Sequence, residues 1–203
     1  MRQDKGNFLP ILAISEPFGY HADLVAFAQI PLSLPRERFA LIYCLAAAMK
    51  FSHLIQINDP LNPLIDPLSR EQLWRGLVHR AENPLPFVLG LDDCRIVVRT
   101  EHTLRRELHF GSLTVRDRVT LDPMNQVRYE TEAGGGLPAS SLVMTIEEPG
   151  ADELVVRFDY ETLRRAGDAP GEQFYNAFLK KAYVEADIDT IRTIRRLVVE
   201  NLL

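Results

Sequence analysis

The chain has 203 residues, 46% of them hydrophobic and 25% charged, the balance of an ordinary globular domain. A formal net charge of −5 supplies no strongly basic surface for phosphates, which argues against a nucleic-acid binder. Cys44 and Cys94 are the only cysteines, too few for a disulfide framework or a zinc set, so Cys94 reads as a plain buried thiol and a reducing cytosol fits.

Residues 1–48 differ from the rest. They hold Pro10, Pro17, Pro31 and Pro35, and their apolar clusters keep no sustained period. The apolar run Phe39 to Ala48 is too short to span a bilayer. Three readings stay open: an extension upstream of a natural start at Met49, a short helix packed on the domain, or an export signal cut after Ala46-Ala47-Ala48. The globular domain is expected to occupy residues 49–203.

From Met49 the pattern becomes orderly. Phe51 to Asn58 forms a first strand, with Phe51, His53, Ile55 and Ile57 on one face. Asn58 to Pro63 and Asp66-Pro67 break it. Ser69, followed three residues later by Gln72, is a capping box that opens a helix. Leu73, Trp74, Leu77, Val78 and Ala81 make its apolar stripe; Gly76 weakens it and Pro84 ends it.

Six strand-like runs follow: Cys94–Thr100, Thr103–Phe110, Leu113–Leu121, Gln126–Thr131, Ser140–Glu147 and Glu153–Glu161. Short turn-like separators join them, as in an antiparallel meander. The second and third runs flank Gly111-Ser112, a pair suited to a type II′ hairpin turn. That turn sets Phe110 opposite Leu113, Leu108 opposite Val115, Arg106 opposite Asp117 and Leu104 opposite Val119. All of these share one face by the period-two rule. An arginine and a carboxylate therefore oppose each other on an otherwise apolar face, and burying either is costly unless it is paired.

The chain closes with a helix from about Glu172 to Asn201. Tyr175, Leu179, Ala182, Tyr183, Ala186, Ile194 and Leu197 gather on one side. At roughly 45 Å, from ~1.5 Å per residue, it can lie across a whole sheet. The expected fold is α+β: strand, helix, six strands, helix, with a seven-stranded curved antiparallel sheet wrapped around the terminal helix. A curled sheet around a straight helix leaves a hollow unless large side chains fill it.

That order is the helix-grip arrangement, and it resembles the START and birch-pollen-allergen superfamily, also called SRPBCC. Lys50 to Asp59, Leu73 to Leu77, Leu104 to Leu108 and Ala186 to Arg195 look like the AtaL-like subfamily. This subfamily groups largely uncharacterised bacterial and fungal proteins, some linked to secondary metabolism. The resemblance covers Met49 to about Leu203 and leaves residues 1–48 unmatched. It implies a cavity for an apolar or amphipathic small molecule and carries over no agreed catalytic residue.

The candidate cavity residues are Arg106, Asp117, His53, Leu108, Phe110, Val115, Tyr129, Met144, Phe158, Tyr160 and Tyr183. Arg106 reads either as a cavity cation for a ligand carboxylate or enolate, oriented by Asp117, or as half of a closed structural ion pair. His53 reads as a general base in the cavity or as a satisfied core histidine. Tyr129, Tyr160 and Tyr183 reach toward ligand oxygens or fill space. Asp187, one turn after Tyr183, reads as a partly solvated edge acid or as a partner for Tyr183 or a strand. His79, His102 and His109 look like surface positions, and no histidine pair has metal spacing. Gly134-Gly135-Gly136 lacks the Lys-Ser/Thr of a phosphate loop, and Ser140-Ser141 have no nucleophile elbow.

Three functions are in play. The domain carries a hydrophobic small molecule, or it is a cyclase-, aromatase- or hydrolase-like enzyme of a polyketide-type substrate, or it is a ligand-free regulatory or assembly partner. No cofactor, metal, nucleic acid or membrane span is expected, and a homodimer is left open. The enclosed volume separates the third reading from the first two. The approach of His53 to Arg106 and Asp117 separates enzyme from carrier.

Overall fold

The structure, a computed structural model, describes residues 49–62, 64–135, 137–162 and 172–203, with backbone only for Met49 and residues 172–176. The expectations for residues 1–48, including Cys44, and for the side chain of Tyr175 lie outside the described residues.

The elements run β1 (Met49–Asn58), α1 (Arg70–Glu82), β2 (Asp93–Arg99), β3 (Thr103–Phe110), β4 (Leu113–Asp122), β5 (Gln126–Thr131), β6 (Ser140–Glu147), β7 (Leu154–Thr162) and α2 (Glu172–Val199). They form one seven-stranded sheet in the order β1-β7-β6-β5-β4-β3-β2, with every neighbour antiparallel. The meander supplies six of its strands, and β1 closes the far edge beside β7. This is the helix-grip fold.

Local chemistry sets the boundaries. The Ser69 hydroxyl accepts from the Gln72 backbone N–H at 3.1 Å, and the Gln72 side chain accepts from the Ser69 N–H at 2.8 Å. Two of the free N–H groups at the start of α1 are thus satisfied. Between β3 and β4, Gly111 takes φ +59° while Ser112 stays out of the left-handed region, the pattern of a type II′ turn. The register from this turn pairs Arg106 with Asp117 and Leu108 with Val115, as the alternation requires.

The core lies where α1 meets α2 over the sheet. Leu73, Leu77 and Ala81 of α1 pack with Ile191 and Ile194 of α2 and with Val119, Val127, Met144, Val156 and Phe158 from the strands. Each such side chain, fully removed from water, contributes about 1.5–3 kcal/mol before entropy. Gly76 belongs to this contact. A Cβ built on it would lie 2.5 Å from Ile194 Cγ2, inside van der Waals contact. The glycine that lowers helix propensity is what lets α1 settle against α2.

Arginines fasten the loops to this layer. Arg195 of α2 donates to the backbone carbonyls of Asp66, at 2.7 Å, and of Ile57. Arg70 donates to the carbonyls of Met124 at 2.9 Å and Ile146 at 3.2 Å. The core thus fills one end of the sheet.

Candidate functional site

A cavity of about 250 Å³ lies between the sheet and α2. Its walls come from β3 (Leu108, Phe110), β4 (Leu113, Val115), β6 (Ser141, Leu142) and α2 (Tyr183, Ala186). Leu89 also lines it and is 84% exposed, so the cavity opens to solvent beside the α1–β2 connection. The volume sits a little under the ~300 Å³ at which small-molecule pockets commonly begin.

Two polar clusters meet the cavity. In the first, Arg106 and Asp117 form a two-point pair: Nε donates to Oδ1 at 2.9 Å and Nη2 to Oδ2 at 2.5 Å. Arg106 Nη1 donates to the Ala81 carbonyl at 2.6 Å, at the end of α1. Both residues are buried, 4% and 7% exposed. Burial alone would lower the guanidinium pKa, but the bonds and charge of Asp117 outweigh it and raise it. Every nitrogen of Arg106 is therefore engaged by protein. That geometry matches a closed pair and leaves little donor capacity for a ligand.

The second cluster joins β1, β7 and α2. Tyr160 donates its hydroxyl to Asp187, 2.9 Å from Oδ1 and 2.8 Å from Oδ2. His53 Nε2 lies 3.2 Å from Asp187 Oδ2, within ion-pair reach but off hydrogen-bond alignment. The His53 ring stacks on Phe158 at 5.1 Å and on Phe51 at 5.2 Å. Tyr160 stacks on Tyr183 at 4.4 Å. Burial pushes the Asp187 carboxyl above the usual carboxylate range, against the opposing pull of His53, Tyr160 and Arg80. Burial, then the charge of Asp187, pushes the Tyr160 phenol well above its ordinary value.

Several sequence expectations need correction. His53 sits on the inward face of β1 but does not line the cavity, and it faces Asp187 rather than Arg106 and Asp117. Met144 and Phe158 are fully buried in the core and do not line the cavity either. The β6–β7 register sets them side by side under the helix layer, where large side chains fill the hollow. Asp187 is no edge acid; it is fully buried. Cys94 is half-buried rather than buried, and burial still pushes its thiol up. Arg106, Leu108, Phe110, Val115, Asp117, Tyr129, Tyr160 and Tyr183 do border the cavity.

Arg80 was missed by sequence reasoning. It follows Leu73 by seven residues and Gly76 by four, which places it on the buried stripe of α1. Its guanidinium carbon lies 5.1 Å from the centre of the Tyr129 ring, and that of Arg106 lies 5.2 Å from the same ring. Asp187 was weighed as a partner for a strand, and β7 supplies that strand through Tyr160; Ile191 and Ile194 follow Asp187 by four and seven residues, which places it on the buried side of α2. In both cases the charged residue interrupts an apolar stripe at its own spacing.

Among the described residues no three His, Cys, Asp or Glu side chains group to hold a metal ion. Nor, among them, is any helix long and apolar enough to cross a membrane.

The sheet order, the gripped helix and the cavity between them define a helix-grip fold. The chain belongs to the AtaL family, described as "Acetylaranotin biosynthesis cluster protein L", whose family model matches residues 55–201. No curated protein matches the sequence significantly. Among solved structures, Ara h 8.0201 aligns with a TM-score of 0.53 at 11% identity, over 74% of this chain and 99% of the other. The Zhui aromatase/cyclase from Streptomyces sp. R1128 aligns at 0.50 and 14% identity, over 74% and 96%. StfQ, a di-domain aromatase/cyclase of the steffimycin biosynthetic pathway, aligns at 0.58 and 10% identity, over 82% of this chain and 55% of that one. At such identities these structures share the fold.

Proposed function

We propose that this domain holds a hydrophobic or amphipathic small molecule in the cavity between β3–β7 and α2. The observation that carries this reading is the cavity itself: an open hollow with apolar walls, where a ligand-free partner protein would need a packed interior. The biosynthetic-cluster name of the family accords with a product or intermediate of secondary metabolism as the ligand. A cytoplasmic carrier or sequestering protein is the form this takes.

A second reading, an aromatase- or cyclase-like enzyme, is favoured by one specific feature. Tyr160 and Asp187 both border the cavity, with His53 behind the carboxylate. A buried carboxylate whose pKa is raised is a competent base for a carbon acid. The aromatase/cyclases with this fold would then mark the reaction class as well as the architecture.

The test is titration with the neutral fluorophore N-phenyl-1-naphthylamine. Saturable enhancement is expected in the wild type and loss of it in Val115→Trp, which fills the cavity from β4. Equal binding by both would place the probe elsewhere and end the reading. For the enzyme, NMR would follow deuterium exchange at the α-carbon of 2-tetralone. Acceleration by the wild type but not by Asp187→Asn would support catalysis; no acceleration would favour the carrier.

A further inference from the structure

Two groups bordering the cavity carry buried polar atoms that have no hydrogen-bond partner among the described residues. Arg80 Nε is buried without a hydrogen-bond partner, and so is the Tyr129 hydroxyl. Among the described residues no carboxylate lies within ion-pair distance of Arg80. Its guanidinium stacks over the Tyr129 ring, with no aligned hydrogen bond between the two side chains. Arg80 as a whole is half-buried, but buried polar atoms such as its Nε are almost always satisfied in native proteins. The contrast with Arg106 is direct. Arg106 spends its fork on Asp117 and Ala81, whereas Arg80 keeps its fork unspent beside the same ring.

We propose that Arg80 is the anchor for a planar oxyanion, a carboxylate carried by an otherwise apolar ligand, with the Tyr129 hydroxyl as second donor. The guanidinium fork matches a carboxylate at two points, and the apolar walls take the rest of the molecule. Asp187 also borders the cavity, but its two oxygens already accept from Tyr160 and face His53. Burial alone would lower the Arg80 pKa; Tyr129, Tyr160 and Asp187 together raise it, so the anchor stays charged. This assignment rests on the ligand-binding reading above and names the ligand's polar end.

The experiment compares 2-naphthoate with its neutral methyl ester, each displacing N-phenyl-1-naphthylamine at neutral pH. The wild type is expected to bind the acid at least about tenfold more tightly, the scale of one charge-assisted hydrogen bond. Arg80→Met and Arg80→Gln are expected to lose that preference while still binding the ester, which also reports an intact fold. The double variant Arg106→Met with Asp117→Leu is expected to keep it. Equal binding of acid and ester by the wild type would overturn the proposal, as would a preference that survives both Arg80 variants. Failure of the neutral fluorophore to bind would instead strike the cavity reading beneath it.

Discussion

Tyr160 gives its single hydroxyl proton to Asp187 and so ties the last strand to the last helix at the cavity wall. Tyr160→Phe removes that donor and leaves a buried carboxylate with no aligned hydrogen-bond donor. The expected cost is about 1–3 kcal/mol of unfolding free energy, the penalty for an acceptor left unsatisfied. Urea denaturation measures it, and an unchanged midpoint would mean the bond is replaced by another donor.

Asp187 makes stability depend on pH in a definite direction. Its folded pKa is raised by burial, so the folded state holds the proton more tightly than the unfolded chain. For such a group the stabilising contribution is complete below the ordinary carboxylate pKa, about 3.9, and is lost as pH rises through the folded value. Asp187→Asn removes the loss and can still accept from Tyr160. The variant is expected to gain on the wild type as pH rises from about 4 toward 7. A constant difference between the two across that range would show that Asp187 does not titrate differently on folding.

Arg106 and Asp117 answer to removal of one partner more than to removal of both. Arg106→Met strands a buried carboxylate and is expected to cost about 3–5 kcal/mol. The double variant with Asp117→Leu is expected to recover most of that, because an apolar pair of similar size suits the face between Leu104 and Leu108. The Ala81 carbonyl loses its donor in both, a residual cost of about 1 kcal/mol. Additive losses in the double-mutant cycle would contradict a closed pair.

Gly76→Ala improves helix propensity by up to about 1 kcal/mol but drives a methyl into Ile194. Overpacking of this kind costs about 1–3 kcal/mol, so net destabilisation is expected. Ile194→Ala opens the space, and the double variant should fall short of the summed losses. Calorimetric melting of the four proteins decides it.

The fold was legible in the sequence because its signals are local. Gly111-Ser112 fixes a turn type, the turn fixes the register, and the register alone sets Arg106 against Asp117. The capping box at Ser69 and Gln72 is equally local. The site was only partly legible because it depends on where helices land. Arg80 breaks the stripe of α1, and an apolar-only count discards it; Asp187 breaks the stripe of α2, where its spacing alone leaves an edge and a buried position both open. Periodicity places Met144 and Phe158 on the inward face correctly. It does not say which part of that face the helices cover, and these two fall under the filled end. His53 faces inward as its alternation implies, yet its partner comes from a helix more than a hundred residues later, beyond any local signal.

Mapping a bound ligand onto the backbone tests the central claim most directly. Amide NMR spectra of the labelled protein, titrated with 2-naphthoate, would show which residues it meets. The expected result is a single set of shifted amides at Leu108, Val115, Ser141, Leu142, Tyr160 and Ala186, with the outward-facing Arg105, Arg116 and Arg118 still. Shifts confined to the outer face of the sheet, or none at saturating ligand, would contradict a binding cavity between sheet and helix.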